Sequence, residues 1–148
     1  LESVWQEPDD GMWEARGTRR HYTQSKVMAW LAFDRAIALS KRFELEAPVQ
    51  RWKRIRGQIR DEILERAYDP QRNTFTQSYG STALDAGALM VGLVGLLEPT
   101  DDRFTTTIDA VRRELGHDGF ISRYSTDVTD DTSSTGPMRS RRRCWSAS

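Results

Sequence analysis

An all-α fold of paired helices joined by long loops is predicted, and three observations predict it. Val49, Trp52, Ile55, Ile59 and Ile63 step by three, three, four and four residues, which is one face of a helix. Phe104, Ile108, Val111 and Leu115 repeat that stripe further on. Around the stripes lie long stretches rich in turn formers, 1–21, 68–81 and 116–131. Connections above roughly 12–15 residues are uncommon in compact domains and often carry function.

The elements follow in order. Residues 1–21 read as loop, with Pro8, Asp9, Asp10 and Gly11 as turn formers. Thr23 or Ser25 is a candidate cap for a first helix running to about Glu44, whose apolar face is Val27, Trp30, Leu31, Ile37 and Ala38. Pro48 suits the first turn of a second helix. The opposite face of that helix carries Lys53, Arg54, Arg56, Arg60, Asp61 and Glu62, the pattern of a solvated surface. Asp69-Pro70 begins a turn, and Thr74 to Tyr79 reads as extended. A third helix is expected from about Leu84 to Leu97, capped by Ser81 or Thr82 with Asp85 three residues after Thr82. It is apolar nearly all round, hence buried on most sides. Its Gly87, Gly92 and Gly95 weaken helix propensity but permit close approach of a neighbour. Pro99 ends it, a fourth helix covers Asp102 to Leu115, and Gly116 stops that one.

The bulk composition narrows the function classes. The 148 residues suit one domain. Basic and acidic residues balance at 22 each, so no global field points to nucleic acid or an anionic membrane. Cys144 is the only cysteine, which excludes an internal disulfide and leans toward a reducing, cytoplasmic setting. No cationic start followed by an apolar run opens the chain, so no signal peptide is expected. The longest apolar run, Ala86 to Leu97, is too short to span a bilayer. The chain opens on Leu1 rather than Met, which suggests a piece of something longer. Five tryptophans are many for this length, and Trp stacks on the flat apolar faces of sugars and bases.

The stretch 8-PDDGMWEARG-17 followed by 20-RHYTQSKVMAW-30 carries the chemistry. It mixes an acidic turn, a Trp-Glu pair and a run of Arg, His and Lys, as the wall of a polar pocket does. It resembles the glycoside hydrolases of family 15, whose pattern is close to P-D-E-G-I-W-E-x-R-G and then R-H-F-T-x-S-K-x-M-A-W. Gln77-Ser78-Tyr79-Gly80 with Leu84-Asp85-Ala86, Pro99 to Phe104, and Gly119 to Tyr124 resemble the family in the same order. The resemblance implies the later half of an (α/α)6 barrel, a six-hairpin toroid, over residues 1–131. The missing half of the barrel would be needed for a complete fold. Residues 132–148 are then a basic tail, either disordered or read out of frame.

The implied chemistry is inverting hydrolysis of an α-glucoside, which uses two carboxyls roughly 6.5–9.5 Å apart, one a protonated acid and one an ionised base. Glu14 stands where the family's general acid stands, and Trp13 where a stacking wall would. Arg16, Arg20, His21 and Lys26 are candidates for sugar hydroxyls. Tyr79 and Asp85 are expected near the site, with Asp85 equally explained as a helix-start residue. Asp10 falls where the family often has Glu. The family's late base glutamate is absent, since no Glu follows Glu114, so the isolated chain is expected to be incomplete and inactive. The resemblance favours the trehalase branch narrowly over the glucoamylase branch. Some trehalases of the family depend on phosphate and magnesium, although no metal-ligand cluster is visible in the sequence. Two other readings stay open: a non-catalytic helical module binding a glucan or a protein, and an inactive degraded gene product.

Overall fold

The computed structural model describes residues 1–12 and 18–124. The long first helix, α1 (Thr23–Arg42), packs along α2 (Val49–Arg66). A two-residue hairpin follows, β1 (Tyr68–Asp69) with β2 (Thr74–Phe75), antiparallel with Tyr68 opposite Phe75. Then come a 3-10 turn at Ala86–Leu89, a single turn α3 (Met90–Leu93), and α4 (Asp102–Leu115). A second small hairpin, β3 (Gly116–His117) with β4 (Phe120–Ile121), closes the described chain.

The predicted apolar stripes meet, except that Ala38 is exposed and Phe33, one turn earlier, packs in the core instead. Val27, Trp30 and Phe33 of α1 pack against Ile55, Ile59 and Ile63 of α2, and Phe75, Val91, Leu97 and Phe104 fill the same core. Ile59, Ile63, Val27 and Phe75 are fully buried, each contributing about 1.5–3 kcal/mol of transfer free energy. Arg56 of α2 donates to Asp34 of α1 at 2.7 Å across the edge of this contact. Leu84, Ala110, Val111 and Leu115 make a smaller cluster beside it.

The helix ends were only partly anticipated. Neither Thr23 nor Ser25 caps α1. Tyr22 holds the cap position in an extended conformation without a side-chain cap bond. The Thr23 hydroxyl donates instead to the Thr76 carbonyl at 2.6 Å, and the Ser25 hydroxyl to Asp9 at 2.8 Å, so tertiary partners displace the local cap. The helix ends at Arg42, short of Glu44, because Glu44 takes φ +52° and the Leu45 amide turns back to the Ser40 carbonyl at 2.9 Å. Pro48 sits just before α2 rather than inside its first turn. By contrast α4 has its expected bounds, with Asp101 accepting from the Arg103 amide at 3.0 Å to cap it.

The continuous third helix is corrected most. Asp85, not Ser81 or Thr82, is its cap: the Asp85 carboxylate accepts from the Gly87 amide at 2.6 Å. The helix then survives only as the 3-10 turn and α3, and Gly95 at φ +79° ends it. Three glycines in ten residues cost too much helix propensity for the full run. Nor is it buried all round, since Leu93 is 72% exposed while Ala88 and Val91 are buried.

Gly92 shows why the glycines are there. A methyl group at Gly92 would lie 2.3 Å from the ring of Phe104, which is itself buried. Gly92→Ala should therefore destabilise by about 2 kcal/mol despite alanine's better helix propensity. Urea unfolding of the two proteins side by side checks this.

Candidate active site

Three loops converge at one end of the helices: the segment before α1, the segment between α2 and the 3-10 turn, and the hairpin after α4. They are joined by backbone pairing. Asp9 pairs with Arg20, Tyr22 with Ser78, and Asp85 with Tyr124. The Thr23 amide donates to the Gln77 carbonyl at 2.9 Å, and the Tyr79 amide to the His21 carbonyl at 3.0 Å. The Ala86 amide donates to the Arg123 carbonyl at 2.8 Å. These loops are joined as three stitched strips, and the stitches fix where their side chains point.

The first loop is pinned at both ends. Asp9 accepts from the Gly11 amide at 2.6 Å and the Ser25 hydroxyl at 2.8 Å, and Gly11 takes φ +71°, a region glycine enters without steric cost. Farther out, Asp10 pairs with Arg19 at 3.4 Å on the exposed surface. Beneath the loop lies Lys26, only 2% exposed. Its ammonium donates to the carbonyl of Trp5 and, at 3.1 Å, to that of Glu7. It also lies 5.9 Å from the centre of the Trp5 ring. Burial holds this ammonium below the usual lysine range, against the opposing pull of Glu62 and Asp9.

Successive residues of the second pinned end face opposite ways. His21 stacks on Tyr79, ring centres 5.6 Å apart and 17° from parallel, and Arg66 of α2 covers the other ring contact of Tyr79 at 4.8 Å. Burial, and then the Glu62 carboxylate, push the Tyr79 hydroxyl well above the ordinary tyrosine range. Tyr22 turns the other way. Its ring lies against Gly11, where a methyl group would meet it at 3.0 Å, and burial raises its hydroxyl above the usual range. Tyr22, Gln24, Gln77 and Asp85 together line a narrow notch of about 10 Å³, with Met12 and Ala88 as its apolar sides. An open trough of about 440 Å³ adjoins it, lined by Gly11, Met12, Gln24, Ser25, Met28, Ala29, Ala32 and Leu1. The two share Met12 and Gln24.

Of the residues singled out from the sequence, Trp13, Glu14 and Arg16 lie outside the described residues. Arg20 is half-buried, with its main chain paired to Asp9. His21 and Tyr79 are brought together, against α2 and away from the notch. Lys26 is buried under the N-terminal segment. The notch is built by Tyr22, Gln24 and Gln77, which the sequence reading passed over, and by Asp85, which it left between two roles. The missed signal was a period of two at residues 21–22, hidden by the helical period that starts one residue later. Among the described residues, no group of three His, Cys, Asp or Glu is placed to hold a metal ion. No helix among them is long and apolar enough to cross a membrane.

The stacked His21 gives a pH dependence with a definite sign. Its imidazole is held below 6.5, first by burial and then by repulsion from Lys26 and Arg66. The unfolded chain therefore binds more protons just below pH 6.5, and stability rises with pH through that window. Below the lowered value the penalty for charging the ring is complete. A His21→Gln variant is expected to show a flatter fall in melting temperature between about pH 7 and pH 5 than the parent, as calorimetry at stepped pH would record.

Comparison with known proteins sets this geometry in a lineage. The family model described as Glycosyl hydrolases family 15 matches residues 1–139. A trehalase from Mycobacterium tuberculosis is 45% identical over 127 residues, 86% of this chain and 18% of that protein. A trehalase from Thermoplasma volcanium is 39% identical over 128 residues, 86% of this chain and 20% of its own length. The chain thus spans about a fifth of the length of these curated relatives. Among solved structures, a glycosidase variant in complex with glucose superposes with a TM-score of 0.74 at 22% identity, covering 86% of this chain and 33% of that one. The wild-type glycosidase superposes equally well, with a TM-score of 0.74. The fold is accordingly part of a helical barrel.

Proposed function

Because the chain belongs to glycosyl hydrolase family 15, we propose that it contributes the acid half of an inverting α-glucosidase centre, with α,α-trehalose as the substrate. The observation that carries this reading is the pinned loop. Residues 9 and 20 are paired, and the Trp13-Glu14 segment between them follows directly on Met12, which borders both the notch and the trough. A glucose ring in the trough would lie against Met12, with hydroxyls toward Gln24 and Ser25. The trehalase relatives, 32–45% identical to this chain, support the choice of disaccharide.

In this reading Glu14 protonates the glycosidic oxygen, Trp13 stacks on the sugar, and Arg16 and Arg20 serve its hydroxyls. Lys26 acts differently from the sequence expectation. With its ammonium spent on two carbonyls under the loop, it braces the wall rather than touching sugar. His21 and Tyr79 likewise support the wall from the α2 side. The base carboxylate that activates water comes from outside this chain, in which no glutamate follows Glu114. Phosphate and magnesium enter this scheme only through the trehalase branch, and no residue here is assigned to either.

The test uses the protein expressed from its complete coding sequence, given trehalose, maltose and maltooligosaccharides. Inversion at one anomeric centre of α,α-trehalose yields one α-glucose and one β-glucose per bond cleaved. Early proton NMR spectra, taken before mutarotation, should show the two anomers in equal amounts. Release of α-glucose alone would mean retention and would sink the mechanism, and no hydrolysis of any of these glucosides would sink the function. The 148-residue chain by itself is expected to release no glucose.

A further inference from the structure

We propose that His21 is a positioning residue acting through Tyr22: while its ring is neutral it keeps Tyr22 aimed into the notch, and once protonated it lets substrate go before the fold is lost. The identity of that substrate rests on the family reading above, whereas the latch itself stands on two backbone strips. Residues 21–23 and 77–79 run edge to edge. The Tyr79 amide donates to the His21 carbonyl at 3.0 Å, the Thr23 amide to the Gln77 carbonyl at 2.9 Å, and Tyr22 pairs with Ser78 between them. Side chains alternate along such a strip. Tyr22, which lines the notch, is therefore aimed by the neighbour that faces the other way. That neighbour is held by its ring, which lies on Tyr79 with centres 5.6 Å apart and planes 17° from parallel.

The stack suits a neutral imidazole and has no place for a charged one. His21 Nδ1 is shut off from solvent and has no hydrogen-bond partner among the described residues. A neutral ring can leave a lone pair there. An imidazolium carries a proton on both nitrogens, and would bury an N–H with nothing to accept it. The charges packed around the ring do not offset this. Lys26 of α1 and Arg66 of α2 repel a proton on it, while Glu62 of α2 and Asp9 of the first loop attract one more weakly. Glu62 is drawn to Arg66 at 3.9 Å, and Asp9 already accepts from the Gly11 amide and the Ser25 hydroxyl. From the second loop Tyr79 offers the face of its ring, yet Arg66 already lies 4.8 Å from the centre of that ring, so a second cation gains little there. As the pH falls through 6.5, the open strip takes a proton that the closed strip refuses. Opening then becomes more frequent by up to about tenfold per pH unit.

Amide hydrogen exchange in the protein expressed from its complete coding sequence tests this. The reporters are the Thr23 and Tyr79 amides, which donate across the strips. Their protection factors should fall about fivefold between about pH 7.5 and about pH 5.5, while those in the middle of α4 hold. The KM for trehalose should rise by about the same factor over that range. His21→Phe keeps a ring on Tyr79 and cannot titrate, so both its protection factors and its KM should stay level. The assignment is overturned if the parent's protection at the two amides changes by less than about twofold, if His21→Phe keeps the parent's pH dependence, or if the KM of an active parent stays flat. A His21 ring that titrates at or above 6.5 in the folded protein, as read by NMR, overturns it too. Should His21→Phe fail to fold, His21→Gln is held to the same criteria. A parent that cleaves no glucoside removes the function reading, while exchange still decides the latch, so the two failures are told apart.

Discussion

Glu14→Gln is expected to lower kcat for trehalose about a thousandfold with little change in KM, because a positioned general acid contributes on the order of 10²–10⁴ in rate. Glutamine keeps the shape and the hydrogen bonds of a neutral carboxyl but has no proton to give to the departing sugar. Two further readouts separate lost acid from lost fold. The alkaline limb of the parent's pH–rate profile reports deprotonation of the acid and should vanish in the variant. A substrate such as α-glucosyl fluoride, whose leaving group needs little protonation, should lose far less rate than trehalose. Equal losses on both substrates would mean that Glu14 serves binding or structure, and the acid would have to be sought elsewhere.

Lys26→Met should have the largest effect on stability. Methionine matches the length and apolar stem of lysine, so the core it crosses stays filled. What goes is the ammonium that serves the carbonyls of Trp5 and Glu7. One buried and one part-buried acceptor without a donor are expected to cost about 3 kcal/mol together. The loss should be local before it is global. Trp5 is itself a core residue at 7% exposure, and the Trp52 indole donates to Glu2 at 2.7 Å, so the N-terminal segment remains tethered at its start. Amide exchange over residues 1–9 should accelerate about a hundredfold, while α4 keeps its protection. Catalysis should fall with it, because the same segment carries Asp9, the anchor of the pinned loop. Unchanged exchange at Trp5 and Glu7 would show that the ammonium is dispensable.

The helices were legible where one period governs one element. In α4, Asp101 caps, Phe104 to Leu115 make one stripe and Gly116 ends it, so propensity, pattern and capping agree. Reading failed where they disagreed. The run from Leu84 to Leu97 has the apolarity of a buried helix, but its glycines serve close approach to Phe104 and to Asp85 and leave only short turns. The family was legible through the stretch around Trp13-Glu14 as a motif, not through any spacing a helix or strand would explain. The polar notch was legible only at Asp85, because Gln24 on α1 and Gln77 in the connection after α2 meet through the stitching of Tyr22 to Ser78.

The opposed directions of His21 and Tyr22 bear on how this segment tolerates change. Side chains on an extended strand alternate, so one added or deleted residue between Gly17 and Thr23 would exchange their places. An imidazole would face the notch and a phenol would press on α2, with neither change visible in composition. Substitutions there are local injuries, but a change of length is a reversal of inside and outside. Related enzymes built on this frame should therefore vary in the letters of this stretch far more freely than in their number.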